Sequence, residues 1–279
     1  MVEPVSASAG VQPPDPPHLA LPADADRQPT RLATALRRPL PGLPVQMGMA
    51  PQPRPGSERI LDPGLDCRRA GVLVLLYPCA TPCHQLKRLP CDPSTSSGLW
   101  SRETGEDDLC LVLTRRTDAV DNHRGQISFP GGRMEPGEDH ATAALREGWE
   151  ELAIDPAAVE VIGALSPLYI PPSGFCIYPT VAYTSTRPAF VPNAAEVAEV
   201  LEAPLAHLLN PATRCEETWE IRGAAARVPF YAVGPHKVWG ATAMVLCELL
   251  ALLRDADENP APAGPTGPAK LAAAYDPRC

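Results

Sequence analysis

"GRMEPGEDHATAALREGWEELAI", residues 132–154, is the stretch on which the reading of this chain turns. Pro136-Gly137 is a chain-reversal signal, and Asp139 stands where a helix N-cap belongs, just ahead of an apolar-periodic run. At about 100° per residue, Glu147, Glu150 and Glu151 stack along one stripe of that helix. Ala141, Ala144, Leu145, Gly148, Trp149 and Leu152 form the adjoining apolar stripe. Like charges three or four residues apart repel by roughly 0.2–0.5 kcal/mol per pair, and a mid-helix glycine costs roughly 1 kcal/mol relative to alanine. Both penalties fall within one turn. No lysine alternates with the glutamates as on a salt-bridged surface helix, and Gly148 in the apolar stripe permits close approach to a sheet. Crowded carboxylates behind the Pro130-Gly131-Gly132 loop therefore read as a divalent-cation site rather than a solvated acidic face. An oxygen-only donor set suits Mg²⁺ or Mn²⁺ better than zinc.

Outward from this helix, "GVLVLLYP" (71–78) is a buried strand and "LCLVLTRR" (109–116) a second one that turns basic at its end. "GQISFPGG" (125–132) is a short strand stopped by Pro-Gly-Gly. "AVEVIGALS" (158–166), "FCIYPTVAYTS" (175–185) and "AEVAEVLEA" (195–203) read as further strands. "PLAHLLN" is a short helix with Pro204 at its first position, and "EETWEI" with "ARVPFYAV" makes a hairpin. "VWGATAMVLCELLALLR" (238–254) is a terminal helix with an apolar face. Strands alternating with helices predict an α/β class with a mixed sheet covered on both faces.

The 36 prolines crowd residues 1–63 and 259–279, and such segments bury too little apolar surface to offset their ordering entropy. The domain organisation expected is a proline-rich, partly disordered N-terminal extension (1–65), one folded domain (66–255) with a loop insertion at 79–108, and a disordered tail (256–279). A net charge of -9 argues against nucleic acid and against anionic membranes as partners. The run 241–253 carries Glu248 and is too short to span a bilayer. Without a signal-peptide pattern the chain reads as soluble and cytoplasmic, and nothing in it sets an oligomeric state. Cys79, Cys83, His84 and Cys91 have loosely zinc-like ligand types but no standard spacing. They read as a proline-rich loop with incidental thiols. A structural disulfide is not expected in a reducing compartment.

Gly132, Glu138, Arg146, Glu147, Glu150, Glu151 and Ile154 fall in register with the Nudix box, G-x5-E-x7-R-E-U-x-E-E-x-G-U with U apolar, and the chain is similar to the Nudix hydrolase family on that ground. Gly148 departs where a larger apolar residue is usual, and Ala153 replaces the last glycine. The stretch "LTRRTDAVDNHRGQISFPGG" (113–132) resembles the signature ahead of the box in coenzyme A pyrophosphatases, L-L-T-x-R-S-x3-R-x3-G-x3-F-P-G-G. Leu113, Thr114, Arg116, Gly125, Phe129, Pro130, Gly131 and Gly132 match, and Asp121 stands where a second arginine is expected. "LPGLPVQMGMAP" (40–51), "LSPLYIPPSGF" (165–175) and "VWGATAMVLCELL" (238–250) also look like segments of that subfamily. The resemblance implies a Nudix fold, an α/β/α sandwich with the box as loop–helix–loop.

Carried over by position, the resemblance implies Glu147 and Glu151 as main ligands of Mg²⁺ or Mn²⁺. Glu150 is a further or water-mediated ligand, and the Gly131 carbonyl completes the shell. Glu147, Glu150 and Arg146 form the catalytic set. Arg146 orients the glutamates with Glu138 in its network, and Glu147 is the candidate base unless a glutamate outside the box serves. Arg115 and Arg116 end a strand beside the loop, a good place to grip phosphate bidentately. Alternation lets at most one of them face the site, and the resemblance favours Arg116. Arg124 is placed to stand in for the arginine absent at 121, with Gln126 and His123 as weaker contacts. Tyr169 and Phe175 are candidates for stacking on adenine, or for core packing. The expected substrate is a small molecule, coenzyme A or a derivative, cleaved to adenosine 3',5'-bisphosphate and 4'-phosphopantetheine. Asp121 keeps open a Nudix enzyme for ADP-ribose, NADH or another nucleoside diphosphate derivative. A non-catalytic nucleotide-binding module is a third reading, against which stands the complete glutamate set.

Overall fold

The strand β1 (Arg68–Pro78) divides the protein's interior. The computed structural model describes residues 30–54, 66–79, 109–117, 125–221 and 223–258. Along β1, Leu73, Leu75 and Tyr77 enter one core cluster, while Val74 and Leu76 enter the other. Side chains alternate between faces, so a strand covered on both faces shows a continuous apolar run rather than a polar alternation.

β1 pairs in antiparallel fashion with β2 (Leu109–Arg116) and in parallel with β7 (Phe175–Tyr183), so the sheet is mixed as expected. β2 also carries β3 (Ile127–Ser128) and β8 (Val197–Pro204), and β1 carries β4 (Gly131–Arg133). β5 (Glu160–Ala164) and β6 (Leu168–Ile170) pair with β7. The predicted hairpin is present as β9 (Arg214–Ile221) and β10 (Ala224–Val233). It extends into a three-stranded sheet with β11 (His236–Trp239). Four residues read as the start of the terminal helix thus lie at the strand end and the turn before it.

Two short helices, α1 (Thr30–Ala35) and α2 (Gly42–Gln46), precede the sheet. The box helix α3 (His140–Leu152) covers one face, and α4 (Leu205–Leu209) follows β8 with Pro204 as its N-cap rather than its first residue. The terminal helix α5 (Gly240–Glu258) covers the other face, completing the α/β/α sandwich. Asp139 caps α3 by accepting a hydrogen bond from the Thr142 N–H at 2.7 Å. The helix ends on Ala153 at φ 54, a left-handed position. Glycine is usual there because an L side chain crowds its own carbonyl. The helix presses tightly on β1. A Cβ on Gly71 would lie 2.5 Å from the His140 carbonyl oxygen, and one on Gly148 would lie 2.7 Å from Leu73 Cδ2.

Two expectations are corrected. The packed body starts well before residue 66, because Leu32, Ala35, Met49 and Ala50 are buried in the core on the α5 side. The prolines that suggested disorder sit at helix starts and turns, such as Pro41 at the N-cap of α2, and leave the apolar residues between them free to pack. This segment is locked by Glu248 of α5, which is 0% exposed. Its carboxyl group accepts from the Gly42 N–H at 2.9 Å, Gln46 Nε2 at 2.8 Å, the Ser166 N–H at 3.1 Å and Ser166 Oγ at 2.7 Å.

The second correction concerns the thiols. Cys67–Cys176 ties the start of β1 to β7, and Cys79–Cys110 ties its end to β2. Strand pairing brings these residues together, since Arg69 lies opposite Cys176 and Tyr77 opposite Cys110. Cys79 is thereby removed from the loosely zinc-like group, whose other members lie outside the described residues. So do Asp121, His123 and Arg124, the residues of the insertion beyond Cys79, and the tail from 259. Among the described residues no helix is long and apolar enough to cross a membrane.

Two stability outcomes follow from these contacts. Glu248→Ala strands several buried donors and should remove about 2–4 kcal/mol of unfolding free energy. Hydrogen exchange should then rise first in residues 30–54. Gly148→Ala sets an overpacking cost of about 1–3 kcal/mol against a helix-propensity gain of about 1 kcal/mol. Urea unfolding should show a net loss that Leu73→Val, in the same chain, recovers.

Candidate active site

Arg146 organises the acidic stripe. Its Nε and Nη2 donate to the two carboxylate oxygens of Glu138 at 2.7 and 3.1 Å, a bidentate fork. Nη1 donates to Glu147 at 2.9 Å and Glu150 at 3.1 Å, and Nη2 also reaches the Arg133 carbonyl at 3.1 Å. Glu138 takes a further bond from the Glu135 N–H at 2.8 Å. One guanidinium thus fixes three carboxylates and the loop ahead of the helix. The Arg146 hydrogen bond holds the Glu138 carboxyl below its ordinary range, and the same bond holds the guanidinium proton more tightly.

Glu151 lies deeper, 4% exposed, with Oε2 buried and lacking a hydrogen-bond partner. Burial, helped by the negative charge of Glu147, pushes its carboxyl up to about 8, against the opposing pull of Arg116 and the Gly131 backbone. Burial also raises Glu147, despite its bond from Arg146. Glu150 is the outer member, its side chain 46% exposed. The glutamate stripe is therefore part of the buried face of α3 rather than beside it. A Cβ on Gly132 would lie 2.3 Å from Glu147 Oε1, so only glycine leaves room there for the carboxylate.

Neighbouring strand arginines separate as alternation requires. Arg116 faces α3, where its charge acts on Glu151, and its backbone N–H donates to the Gln126 carbonyl at 3.1 Å. Arg115 points to the other face of the sheet and is paired with Glu199 at 3.1 Å, which also meets His236 Nε2 at 3.1 Å. The expectation that Arg115 reaches the site is corrected, since that ion pair holds it on the opposite side. Phe175 lies under the Arg68 guanidinium at 4.3 Å, and the Tyr169 carbonyl accepts from Arg54 at 3.0 Å. Sequence reasoning missed Glu196. Its charge acts on both Glu147 and Glu151, and its carbonyl is held by the Thr117 N–H at 2.9 Å. Read as a strand residue, it sits instead in the turn before β8, and only the pairing of β2 with β8 brings it here.

Among the described residues, no three His, Cys, Asp or Glu side chains are gathered as a ready-made cation site. The reason is visible in Arg146, which draws oxygens of Glu147 and Glu150 toward itself. The donor chemistry nonetheless fits a hard divalent ion. Glu151 holds an orphaned buried oxygen, Glu147 is beside it, and both are carboxylates strained by mutual repulsion. A cleft of about 1010 Å³ opens beside Glu147 and Arg146, between the start of β1 and the 133–138 loop.

The profile of the NUDIX domain matches residues 96–219. The chain is 36% identical over 140 residues to "Uncharacterized Nudix hydrolase NudL" of Photorhabdus laumondii, covering 50% of this chain and 74% of that protein. It is 36% identical over 160 residues to "Mitochondrial coenzyme A diphosphatase NUDT8" of Homo sapiens, covering 56% and 67%. It is 34% identical over 151 residues to "Nudix hydrolase 22, chloroplastic" of Arabidopsis thaliana, covering 52% and 50%.

A raised carboxyl pKa means that the folded state binds the extra proton more strongly than the unfolded chain, whose glutamate titrates near 4.5. The stabilisation is complete below that value and is lost as pH rises toward about 8. Thermal unfolding of metal-free protein should therefore shift to lower temperature across this window, and Glu151→Gln should flatten the shift.

Proposed function

Because the chain belongs to the Nudix hydrolase family, we propose that it hydrolyses the diphosphate bond of coenzyme A or its derivatives, giving adenosine 3',5'-bisphosphate and 4'-phosphopantetheine. The observation that carries this reading is that Arg116, from the segment resembling the coenzyme A signature, faces Glu151 of the box across a single rim. The human relative named as a coenzyme A diphosphatase supports it.

In this reading Glu147 and Glu151 hold a divalent ion, Mg²⁺ or Mn²⁺, with Glu150 reaching it through water and the Gly131 carbonyl alongside. When bound, such an ion neutralises the diphosphate oxygens and lowers the pKa of the attacking water. The remaining work belongs to the chain. Arg116 grips a phosphate in line with the attack, and Arg146 keeps Glu147 and Glu150 from drifting apart while the site fills. Glu147 takes the proton from water, with Glu196 as the second base in reach of the same charge field. Gln126, beside Arg116, contributes a polar contact to the same phosphate. Arg124 remains a proposed phosphate contact from the loop 118–124. A cytoplasmic setting is part of the same proposal, although disulfides are uncommon there.

A second reading is favoured by one feature, Asp121 in place of the expected arginine: hydrolysis of ADP-ribose, NADH or another nucleoside diphosphate derivative. A panel of these with coenzyme A, in the presence of Mg²⁺ and with products identified, separates the two. Cleavage of coenzyme A to the two named products is expected. Intact coenzyme A beside cleaved ADP-ribose would replace the first reading with the second. Glu151→Gln should lower turnover about a hundredfold or more, an effect on the scale of losing one electrostatic stabiliser.

A further inference from the structure

The cleft beside Glu147 holds a second set of charges that the proposed chemistry leaves idle. Its walls carry Arg68 and Arg69 from the start of β1 and Arg133 from the end of β4. Arg146 also lines it, but that guanidinium is consumed by Glu138, Glu147 and Glu150. Among the described residues no carboxylate is ion-paired with Arg68, Arg69 or Arg133. Asp66 and Glu135 also line the cleft, so it holds three uncommitted guanidinium groups against two uncommitted carboxylates.

These arginines are placed by the fold rather than scattered on the surface. Arg68 lies over the Phe175 ring at 4.3 Å and donates to the Ser173 carbonyl, which fixes the plane of its guanidinium. β1 and β4 are paired with Ala70 opposite Arg133, which sets Arg69 and Arg133 on neighbouring strands one residue out of register. The charge of Arg69 also acts on His140, whose ring is stacked on Tyr178 at 3.7 Å. A volume of about 1010 Å³ is at the upper end of what small-molecule sites occupy, roughly 300–1,000 Å³.

We propose that this cleft, through Arg69 and Arg133 with Arg68 behind them, binds the 3'-phosphate of the substrate's adenosine bisphosphate end. The inference rests on the coenzyme A reading. A phosphate monoester carries about -1.5 to -2 charges at neutral pH, and guanidinium groups are the side chains best shaped to meet it with paired hydrogen bonds. The diphosphate is engaged at the Glu147–Glu151 rim, and the cleft begins at Glu147 itself. The monoester phosphate of the same molecule thus reaches a basic wall without leaving the site. The arginine missing at 121 would be replaced from the opposite rim.

The test compares kcat/KM for coenzyme A and for 3'-dephospho-coenzyme A, with Mg²⁺, in the full chain and in an Arg69→Gln/Arg133→Gln double variant. The unmodified chain should prefer coenzyme A, and the double variant should lose at least about tenfold of that preference, carried mostly in KM. An unchanged ratio, with either no loss or an equal loss on both substrates, overturns the inference while leaving the hydrolase reading intact. If the unmodified chain cleaves neither substrate, the coenzyme A reading fails on its own. Calorimetry with adenosine 3',5'-bisphosphate and adenosine 5'-monophosphate then decides the cleft. Tighter binding of the bisphosphate that the double variant abolishes supports it, and equal binding of the two nucleotides refutes it.

Discussion

A buried carboxylate without a counter-ion is among the least favourable things a fold can contain, and Glu151 is one. Its environment can be understood as the means of holding it there. α3 is drawn onto β1 through Gly71 and Gly148, which places the helix closer to the sheet than side chains at those positions would allow. That closeness takes the acidic stripe out of solvent. Arg146 then relieves part of the repulsion by spanning Glu138, Glu147 and Glu150, but its fork does not extend to Glu151. What remains is one orphaned oxygen at the back of the rim, raised in pKa, beside a second carboxylate. A proton meets this need at low pH and a divalent cation meets it better, so the same burial that destabilises the metal-free helix makes it selective for a cation.

A second carboxyl group resolves the same problem in the opposite manner. Glu248 is fully buried yet satisfied by four hydrogen bonds, and its donors come from α2 and from Ser166 ahead of β6. Residues 40–51, 165–175 and 238–250 are the three segments that resemble the coenzyme A subfamily outside the box and its upstream signature. They converge on this one group. Their shared pattern is therefore explained by packing, since each supplies a partner to a lock that closes the α5 face of the sheet. The lock is also what makes the proline-rich N-terminal region part of the folded body.

How much of this could be read from residues alone differs by element. The helix, its Asp139 cap, the strands of the sheet and the Arg146–Glu138 network follow from local spacing, because helix periodicity and capping act over a few residues. What escaped were the features set by strand pairing. Glu196 reaches the site only because β8 lies beside β2, and the two disulfides join cysteines that are 109 and 31 residues apart. The folded segment at 30–54 escaped for a different reason. Proline content signals disorder only where apolar residues are lacking, and Leu32, Met49 and their neighbours were enough to offset it.

The pair Arg115–Arg116 shows how one strand divides labour that a sequence presents as a single basic patch. Arg116, on the α3 face, is left with a buried Nε that has no hydrogen-bond partner, beside a carboxylate that lacks its own. Arg115, on the α5 face, is fully engaged with Glu199, and through it with His236 of the small sheet. The first residue has unspent hydrogen-bonding capacity where a phosphate would arrive, while the second has spent its capacity joining β2, β8 and β11. Two adjacent guanidinium groups of equal charge thus differ in function because a pleat of one residue separates an unsatisfied site from a satisfied joint.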